Sequence, residues 1–304
     1  MTERNWALAR KKNLLAQRAR ILAEIRAFFV TGGFLEIETP QRIPANAPEP
    51  HIEAVASEDW FLQTSPELAM KRLLAAGYEQ LFQICRVWRG SERGRRHLPE
   101  FSMLEWYRSG ADYHALMADC VNLLLHLIPD STITWQGQTI DLTPPWHTLS
   151  VRDAFSLYSG TLPEKALRDG RFDEILAFEI EPNLGNDKPT FLIEYPVELA
   201  ALARRKPDDP SVAERFELYI CGLELANAFS ELSDPAEQRV RFEQDEIFRR
   251  AAGKTPYPPA EKFLKELRTM PEAAGIALGI DRLVMLLTNR ADIADVVAFP
   301  PETL

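Results

Sequence analysis

Cysteine is scarce in this chain of 304 residues, and the three that occur are Cys85, Cys120 and Cys221. Their number is odd and no two form a Cys-x-x-Cys pair, which argues against a disulfide framework and a zinc site. The N-terminus lacks the apolar core of a signal peptide, and no apolar run approaches the roughly 20 residues of a membrane span. These absences predict a cytoplasmic protein with reduced thiols and no membrane segment.

An excess of positive charge is also lacking, because the net charge is −10 and the isoelectric point is about 5.2. Such a balance argues against a nucleic-acid footprint spread over the surface. The chain has 14 glycines, and no Walker loop or Gly-x-Gly-x-x-Gly fingerprint occurs among them. An apolar content of 46% is typical of a globular protein with its own core. We expect a single domain over residues 1–304.

The positive charge that is present is concentrated in one short segment. Its members are Arg86, Arg89, Arg93, Arg95, Arg96 and His97. The next residues alternate like a strand, and one face carries Phe101, Met103, Glu105 and Tyr107. Arginines suit a polyphosphate, an aromatic ring suits a purine, and a carboxylate suits an amine. The alternative is a solvated basic loop beside a buried aromatic ring.

The periodicity of the remaining sequence predicts a mixed α+β fold. Apolar residues at helical spacing predict helices at 12–31, from 64–67 to 77, at 112–128, at 235–253 and at 280–287. Alternation and short apolar runs predict strands at 34–39, 60–63, 81–88, 101–107, 188–196, 216–229 and 275–279. The segment of about 130–185 has weak periodicity and several turn signals. We expect a small helical insertion there.

Arg282 lies in the first turn of the last predicted helix, which is apolar. An arginine beside a helix N-terminus adds its charge to the free N–H groups there, and together they favour a phosphate. The alternative is a surface arginine that pairs with Asp281 or Glu261. Both interpretations remain open from the spacing alone.

Two carboxylates, Glu224 and Glu231, lie in a largely apolar stretch. Carboxylate oxygens are suitable ligands for Mg²⁺, which usually also binds the phosphates of a substrate. Asn227 lies between them and has the opposite parity to Glu224 in an ideal strand. Both therefore face one site only if the chain bulges between them. The alternative is that Glu231 simply precedes the next helix.

Ser65 and Glu67 lie at the predicted start of a helix, and Lys71 follows one turn later. A carboxylate near a helix N-terminus is stabilised as an anion. Glu67 is therefore a candidate for binding the ammonium group of a substrate. The alternative is the ordinary preference of helix N-termini for negative charge.

Taken together, these segments resemble the class II aminoacyl-tRNA synthetases. Pro40 after a helix and a strand resembles motif 1, the hairpin from Arg89 through His97 to Phe101 resembles motif 2, and the segment from Gly279 to Arg282 resembles motif 3. Three further segments resemble the lysyl branch: Ser65-Pro66-Glu67, Glu105-Trp106-Tyr107 and the stretch from Glu224 to Glu231. The resemblance covers about residues 13–300. It implies an antiparallel sheet flanked by helices.

The resemblance also implies an activity. The motif 1 helix begins so early that no OB-fold anticodon domain is expected, and the chain is similar to the compact ligase branch, the elongation factor P–(R)-β-lysine ligases. That branch activates (R)-β-lysine with ATP and transfers it to a lysine of elongation factor P. The implied cofactors are ATP and Mg²⁺, and the implied partner is elongation factor P. No anticodon-dependent tRNA binding and no membrane are expected, and motif 1 implies a homodimer.

The resemblance implies these roles for individual residues. Arg89, Arg282 and His97 are implied in catalysis. ATP binding is implied for Arg89, Ser91, Glu92, His97, Phe101, Glu224, Leu225, Gly279 and Arg282. Amino-acid binding is implied for Ser65, Glu67, Glu105, Tyr107, Asn227, Glu231 and Ala277. Mg²⁺ binding is implied for Glu224 and Glu231.

The chain departs from the family pattern at a few positions of these motifs. Ser91 and Leu98 stand where the family has Glu and Asn, and Ala228 stands where it has Gly. Glu92 can replace the missing glutamate by a shift of the loop. Ala277 matches the ligase branch rather than the usual glycine of lysyl-tRNA synthetases. Two alternatives stay open: a class II ligase with another acceptor, and a catalytically impaired paralogue that senses an amino acid.

Overall fold

A computed structural model describes residues 6–304, and its helices and strands follow one another in a mixed α+β order. The helices are α1 (Trp6–Thr31), α2 (Glu67–Ala75), α3 (Tyr113–Leu127), α4 (Val151–Tyr158), α5 (Pro163–Arg168), α6 (Phe172–Ile175), α7 (Pro235–Ala251), α8 (Glu261–Glu266) and α9 (Ile280–Leu287). The strands are β1 (Leu35–Glu36), β2 (Arg42–Ile43), β3 (Ala56–Ser57), β4 (Trp60–Leu62), β5 (Gln80–Trp88), β6 (Glu100–Ser109), β7 (Thr132–Trp135), β8 (Gln138–Asp141), β9 (His147–Ser150), β10 (Thr190–Ile193), β11 (Arg215–Ile220), β12 (Leu223–Ser230) and β13 (Ala273–Gly279).

The centre of the fold is an eight-stranded sheet with the order β1-β5-β6-β13-β12-β11-β10-β9. Neighbouring strands are antiparallel from β5 to β10, and only the two edge strands pair in parallel. Small sheets of three and two strands complete the β structure of residues 6–304, and neither is an OB-fold barrel. The predicted antiparallel sheet flanked by helices is therefore confirmed.

Helices α1, α3 and α9 cover one face of this sheet with apolar side chains. Phe29 of α1 stacks on Phe82 of β5 with ring centroids 5.0 Å apart. Trp106 of β6 is fully buried there, and its Nε1 donates to Oδ2 of Asp119 on α3 at 3.1 Å. Helix α1 ends at Thr31 because Gly33, with φ +82°, adopts a left-handed conformation that glycine takes at little cost.

The predicted alternation along β6 is confirmed. Leu104 and Trp106 point into the core under the helices, whereas Met103 points to the opposite face, where it packs against Cys85 and Val87. Because every second residue faces away from the helices, Phe101 and Glu105 lie on the same side of the sheet as Met103. That side holds the cavity described below.

The predicted starts of α2, α3, α7 and α9 are confirmed to within one residue, whereas α1 already includes Trp6 and so extends beyond its predicted start at residue 12. Asp234 caps α7, since its carboxylate accepts hydrogen bonds from the backbone N of Ala236 at 2.8 Å and of Glu237 at 3.2 Å. Ser65 Oγ likewise accepts from the backbone N of Glu67 at 3.0 Å, where α2 begins. Within residues 6–304, no helix combines the length and apolar character needed to cross a bilayer.

Three further predicted segments differ in the structure from their predicted length or type of secondary structure. The strand expected at 34–39 is reduced to Leu35–Glu36. The stretch 216–229 is two strands, because Cys221 and Gly222 both have positive φ and turn the chain back. The segment 130–185 begins with the strands β7, β8 and β9, and only its second half is helical. An apolar run shows that a segment is buried, but it does not show where a tight turn divides the run.

Candidate active site

A cavity of about 470 Å³ lies on the sheet face opposite to α1, α3 and α9. Side chains of β6, β11, β12 and β13 line its floor, and residues 49–52, 172–176 and 198–203 contribute to its walls. Sequence-predicted residues that line it are Arg89, Glu92, His97, Phe101, Glu224, Leu225, Asn227, Ala277, Gly279 and Arg282. The fold thus brings most of the predicted ATP-binding residues to one cavity.

Arg282 and His97 form one end of the basic region, which we define as Arg89, His97 and Arg282. Nη1 of Arg282 donates to the backbone oxygen of Glu224 at 2.8 Å and to its Oε2 at 3.0 Å. Nη2 of Arg282 lies 2.5 Å from Nε2 of His97. Burial and the charge of Arg282 lower the pKa of His97, so its neutral ring accepts this hydrogen bond.

The alternative pairing of Arg282 with a surface carboxylate is not found. Asp281 is buried and pairs with Arg18 of α1, and it also accepts a hydrogen bond from the backbone N of Ser102 at 2.9 Å. Glu261 pairs with Arg239 at 2.8 Å. Asp281 therefore fixes the first turn of α9 to α1 and β6, and this leaves Arg282 facing the cavity.

Arg89 completes the basic region from the end of β5. Its guanidinium lies 5.3 Å from the centroid of the Phe101 ring, and its Nη1 lies 3.5 Å from Oε1 of Glu92. Ser91 is exposed in the loop and is not among the described residues that line the cavity. Ser91 therefore does not lie where it was predicted to contact ATP, because the loop turns Glu92 rather than Ser91 toward Arg89.

A bulge in β12 brings Glu224 and Asn227 to the same face. Tyr219 pairs with Glu224 while the preceding Leu218 pairs with Ala226, so Leu225 is an extra residue on β12. This confirms the predicted requirement for a bulge, and both side chains line the cavity. Asn227 Oδ1 accepts a hydrogen bond from Nε of Arg215 at 3.0 Å.

Glu217 of β11 is a buried carboxylate that lines the cavity near Glu224. It accepts hydrogen bonds from the hydroxyls of Tyr195 at 2.5 Å and Tyr219 at 2.6 Å, and Nη2 of Arg215 lies 2.6 Å away. Burial and the charge of Glu224 raise the pKa of Glu217. Burial opposes ionisation of Glu224 as well, but Arg282, Arg89 and Arg215 together outweigh it and lower that pKa. Two carboxylates that repel each other in this way suit a shared cation.

The predicted Mg²⁺ pair of Glu224 and Glu231 is not brought together. Their positions lie at opposite ends of β12, roughly 20 Å apart at about 3.3 Å per residue, so one ion cannot bridge them. Within residues 6–304 no group of three or more metal-binding side chains of the His, Cys, Asp and Glu types occurs. Glu217 and Glu224 fit Mg²⁺ better, since this ion needs only one or two carboxylates when phosphates supply further oxygens.

Glu231 instead belongs to an acidic cluster, which we define as Glu67, Glu105 and Glu231 around Lys71. Nζ of Lys71 lies 2.6 Å from Oε1 of Glu67 and 2.5 Å from Oε2 of Glu231. The side chains of Lys71 and Glu231 are fully buried. Burial raises the pKa of Glu231 to about 8 although Lys71 lowers it. The ion pair with Lys71 explains how Glu231 can exist in the core.

Glu105 is the third carboxylate of the acidic cluster. Its Oε1 accepts a hydrogen bond from Ser65 Oγ at 2.6 Å, and its Oε2 accepts one from the hydroxyl of Tyr107 at 2.8 Å. Burial and the neighbouring Glu67 raise the pKa of Glu105 to about 8. The structure therefore assembles Ser65, Glu67, Glu105, Tyr107 and Glu231, as the predicted amino-acid site requires.

The acidic cluster borders the cavity through one row of side chains. Strand register places Glu105 beside Ala277, Ala277 beside Asn227, and Asn227 beside Glu217 on four neighbouring strands. Neighbouring strands are about 4.8 Å apart. Charged side chains lie at both ends of the row, and Ala277 contributes only a methyl group. None of Glu67, Lys71, Glu105 and Glu231 is among the described residues that line the cavity directly. Ala277 lines the cavity and pairs with Glu105, so one short side chain separates the two.

Several residues of the site were not singled out from the sequence. Arg215, Glu217 and Tyr219 alternate along β11, and this pattern of charge in a buried strand was a usable signal. Tyr195 carries no such pattern, although its ring lies 4.2 Å from the guanidinium of Arg215. Glu49 lies in a Pro-rich loop, and local sequence does not indicate that this loop reaches the cavity.

Residues 4–303 match the family of class II tRNA synthetases of the D, K and N group. The chain therefore belongs to the class II tRNA synthetase family, as its motifs indicated. It is 42% identical to the elongation factor P–(R)-β-lysine ligase of Erwinia tasmaniensis, over 94% of each chain, and 42% identical to that of Sodalis glossinidius, over 95% of each. It is 38% identical to the lysine–tRNA ligase of Moorella thermoacetica, over 95% of this chain and 65% of that protein.

Proposed function

We propose that this chain is an ATP-dependent ligase that joins a lysine-type amino acid, (R)-β-lysine or lysine, to a lysine side chain of elongation factor P. Two relatives named elongation factor P–(R)-β-lysine ligase match nearly end to end, which supports this acceptor and a ligase activity. The observation that carries the proposal is the single row that joins the acidic cluster to the cavity of the basic region. Such a site can bring together the reactants of adenylate formation, because one end binds the ammonium group of an amino acid and the other binds the polyphosphate of ATP.

In the first step the substrate carboxylate attacks the α-phosphorus of ATP in line, and pyrophosphate leaves. Arg89 and Arg282 stabilise the charge that develops on the phosphate oxygens, and Phe101 provides a ring on which adenine stacks. Bound Mg²⁺ would neutralise phosphate charge, and Glu217 and Glu224 are the residues that would hold it. Holding both reactants in one cavity supplies much of the remaining acceleration.

The amino acid is selected by the acidic cluster. Glu105 and Glu231 hold an ammonium group of the substrate, with the hydroxyl of Tyr107 fixing the orientation of Glu105. Ala277 and Asn227 border the space between this ammonium and the reacting carboxylate. The extra methyl of Ala277, compared with glycine, narrows this space and favours a lysine isomer whose amine is displaced. A cytoplasmic homodimer that does not read anticodons is part of the same proposal.

Pyrophosphate exchange with the purified protein tests the first step. Exchange is expected with (R)-β-lysine or lysine and not with asparagine or histidine, and exchange with only one of the latter two would remove the lysyl assignment. The intact mass of co-expressed elongation factor P tests the acceptor. An added lysyl unit is expected, and an unchanged mass together with active exchange would point to another acceptor.

A further inference from the structure

The Pro- and Ala-rich loop between β2 and β3 carries Glu49 to the cavity. The Glu49 carboxylate makes no hydrogen bond or ion pair with any part of the described chain, 6–304. The charged groups that face it are Arg89 at the end of β5, Glu67 of α2, Arg215 of β11 and Asp245 of α7. This carboxylate therefore lies beside the basic region but is not bound by it.

Glu49 is held in this place from behind by α7 and the segment that follows it. Nη1 of Arg249, whose side chain is fully buried, donates to the backbone oxygens of Glu49 at 2.9 Å and Ile52 at 2.6 Å. Nζ of Lys254 donates to the backbone oxygen of Pro50 at 2.7 Å. A buried arginine bonded in this way fixes the backbone of the loop, so the backbone position of Glu49 beside the cavity is fixed.

The balance of charges around Glu49 suits proton transfer near neutral pH. Burial raises the pKa of Glu49 to about 7, Arg89 and Arg215 lower it, and Glu67 and Asp245 raise it further. Asp245 also has a buried Oδ2 without a partner and, because of burial, a pKa of about 6. A carboxylate with a pKa near the working pH is an effective general base.

The transfer step of the proposed function needs such a base. A lysine ammonium has a pKa of about 10.4, so nearly all of it is protonated and unreactive at about pH 7. We propose that Glu49 is the general base that deprotonates the acceptor lysine beside the adenylate. This inference rests on the proposed function and adds a catalytic residue to it.

Atoms and charge balance in the transfer step. The acceptor ammonium gives one proton to the Glu49 carboxylate, and its nitrogen lone pair attacks the carbonyl carbon of the adenylate. The C–N bond forms, the C–O bond to the phosphate breaks, and AMP leaves with the bonding electron pair. The second proton of the nitrogen passes to water as the amide forms, and Glu49 returns its proton to solvent.

Glu49→Gln tests this role because the two half-reactions are measured separately. Pyrophosphate exchange reports adenylate formation, and single-turnover transfer from the preformed adenylate to elongation factor P reports the second step. We expect transfer to fall by about 10²-fold or more, and exchange to fall far less. The levelling of the wild-type transfer rate above about pH 7 should disappear in the variant, whose rate should keep rising with the fraction of neutral amine. Glu49→Asp, which keeps a carboxylate, should restore part of the transfer rate and a levelling at a shifted pH.

Two amine probes distinguish the loss of a general base in Glu49→Gln from a structural effect of the substitution. Hydroxylamine is already neutral at about pH 7 and needs no base, so Glu49→Gln should form hydroxamate at nearly the wild-type rate. Methylamine is protonated at that pH and should behave like the lysine acceptor. If wild type exchanges pyrophosphate but does not modify elongation factor P, the proposed acceptor fails, and methylamine against hydroxylamine still tests Glu49.

Glu198→Gln is the matched control, since Glu198 also lines the cavity but is exposed at its wall. It removes the same charge and should leave both half-reactions within about two-fold of wild type. Wild-type transfer by Glu49→Gln would overturn the proposal. So would equal losses in exchange and transfer, or an equal loss with hydroxylamine. If Glu49→Gln does not fold, the pH profile of transfer in Glu49→Asp decides, and an unshifted profile counts against the role.

Discussion

The basic region lines the cavity and the acidic cluster lies beside it, and their charges are held in opposite ways. The side chains of Arg89 and Arg282 are about one-fifth exposed, at 22% and 19%, and remain partly accessible to water. Glu231 is fully buried and already bonded to the ammonium of Lys71. A polyphosphate brings enough charge to bind partly hydrated arginines. Selection of one ammonium group instead requires carboxylates that have been removed from water in advance.

Removal of Arg282 should produce the largest loss, because it acts on charge that develops in the transition state. Arg282→Ala is expected to lower the rate of pyrophosphate exchange by about 10³-fold or more. The reason is its position at the start of α9, bonded to Glu224 and His97. Near-wild-type exchange would exclude the role assigned to Arg282. Arg239→Ala, at an exposed ion pair with Glu261, is a suitable control.

Removal of Lys71 should have a smaller effect on the rate but a large effect on stability. Lys71→Met leaves Glu67 and Glu231 buried without their ammonium partner, at a cost of about 3–5 kcal/mol in the free energy of unfolding. Glu231 then holds its proton more strongly, so the KM for the amino acid should rise more than the KM for ATP. Lys71→Arg should recover part of both losses. Equal increases in the two KM values would contradict a specific effect on the acidic cluster.

The free energy of unfolding should depend on pH, because the carboxylates of the acidic cluster are buried. Glu105 and Glu231 have pKa values of about 8 in the folded chain and about 4.5 when unfolded. The folded state therefore binds more protons between these values, and the free energy of unfolding should fall as the pH rises from about 5 to about 8. Each group contributes at most about 1.4 kcal/mol per pH unit. Denaturant titrations across this range, with Glu105→Gln to remove one contribution, measure the effect. A flat profile would show that both carboxylates ionise freely.

The smallest effect should come from the loop of the basic region. Ser91 is exposed and outside the cavity lining, so Ser91→Ala should change the binding of ATP by less than about 0.5 kcal/mol. Glu92 lines the cavity 3.5 Å from Arg89, and Glu92→Gln should change it more. Calorimetric titration of both variants with ATP makes the comparison. A larger loss for Ser91→Ala would show that the loop rearranges when ATP binds.

The parts of the site that follow local patterns were predictable. Alternation along β6 placed Phe101, Glu105 and Tyr107 on one face, and the structure confirms it. The parity conflict between Glu224 and Asn227 predicted a bulge that is present. Partners across the sheet were not predictable, because register between distant strands depends on packing. The predicted Mg²⁺ pair joined Glu224 to Glu231, whereas the fold separates these two and sets Glu217 near Glu224, since the sequence shows acidic residues but not which of them meet.

The sequence by itself determined the family, the α+β order and the identity of the charged motifs, because these depend on short-range periodicity and on spacing along the chain. Only the tertiary structure decided which charges face one another. In the folded chain Glu231 pairs with Lys71, Glu217 lies opposite Asn227, and Glu49 reaches the cavity on a loop that is hydrogen-bonded to Arg249. The physical reason is burial: whether a carboxylate pairs, shares a cation or holds a proton depends on its neighbours after water has been excluded.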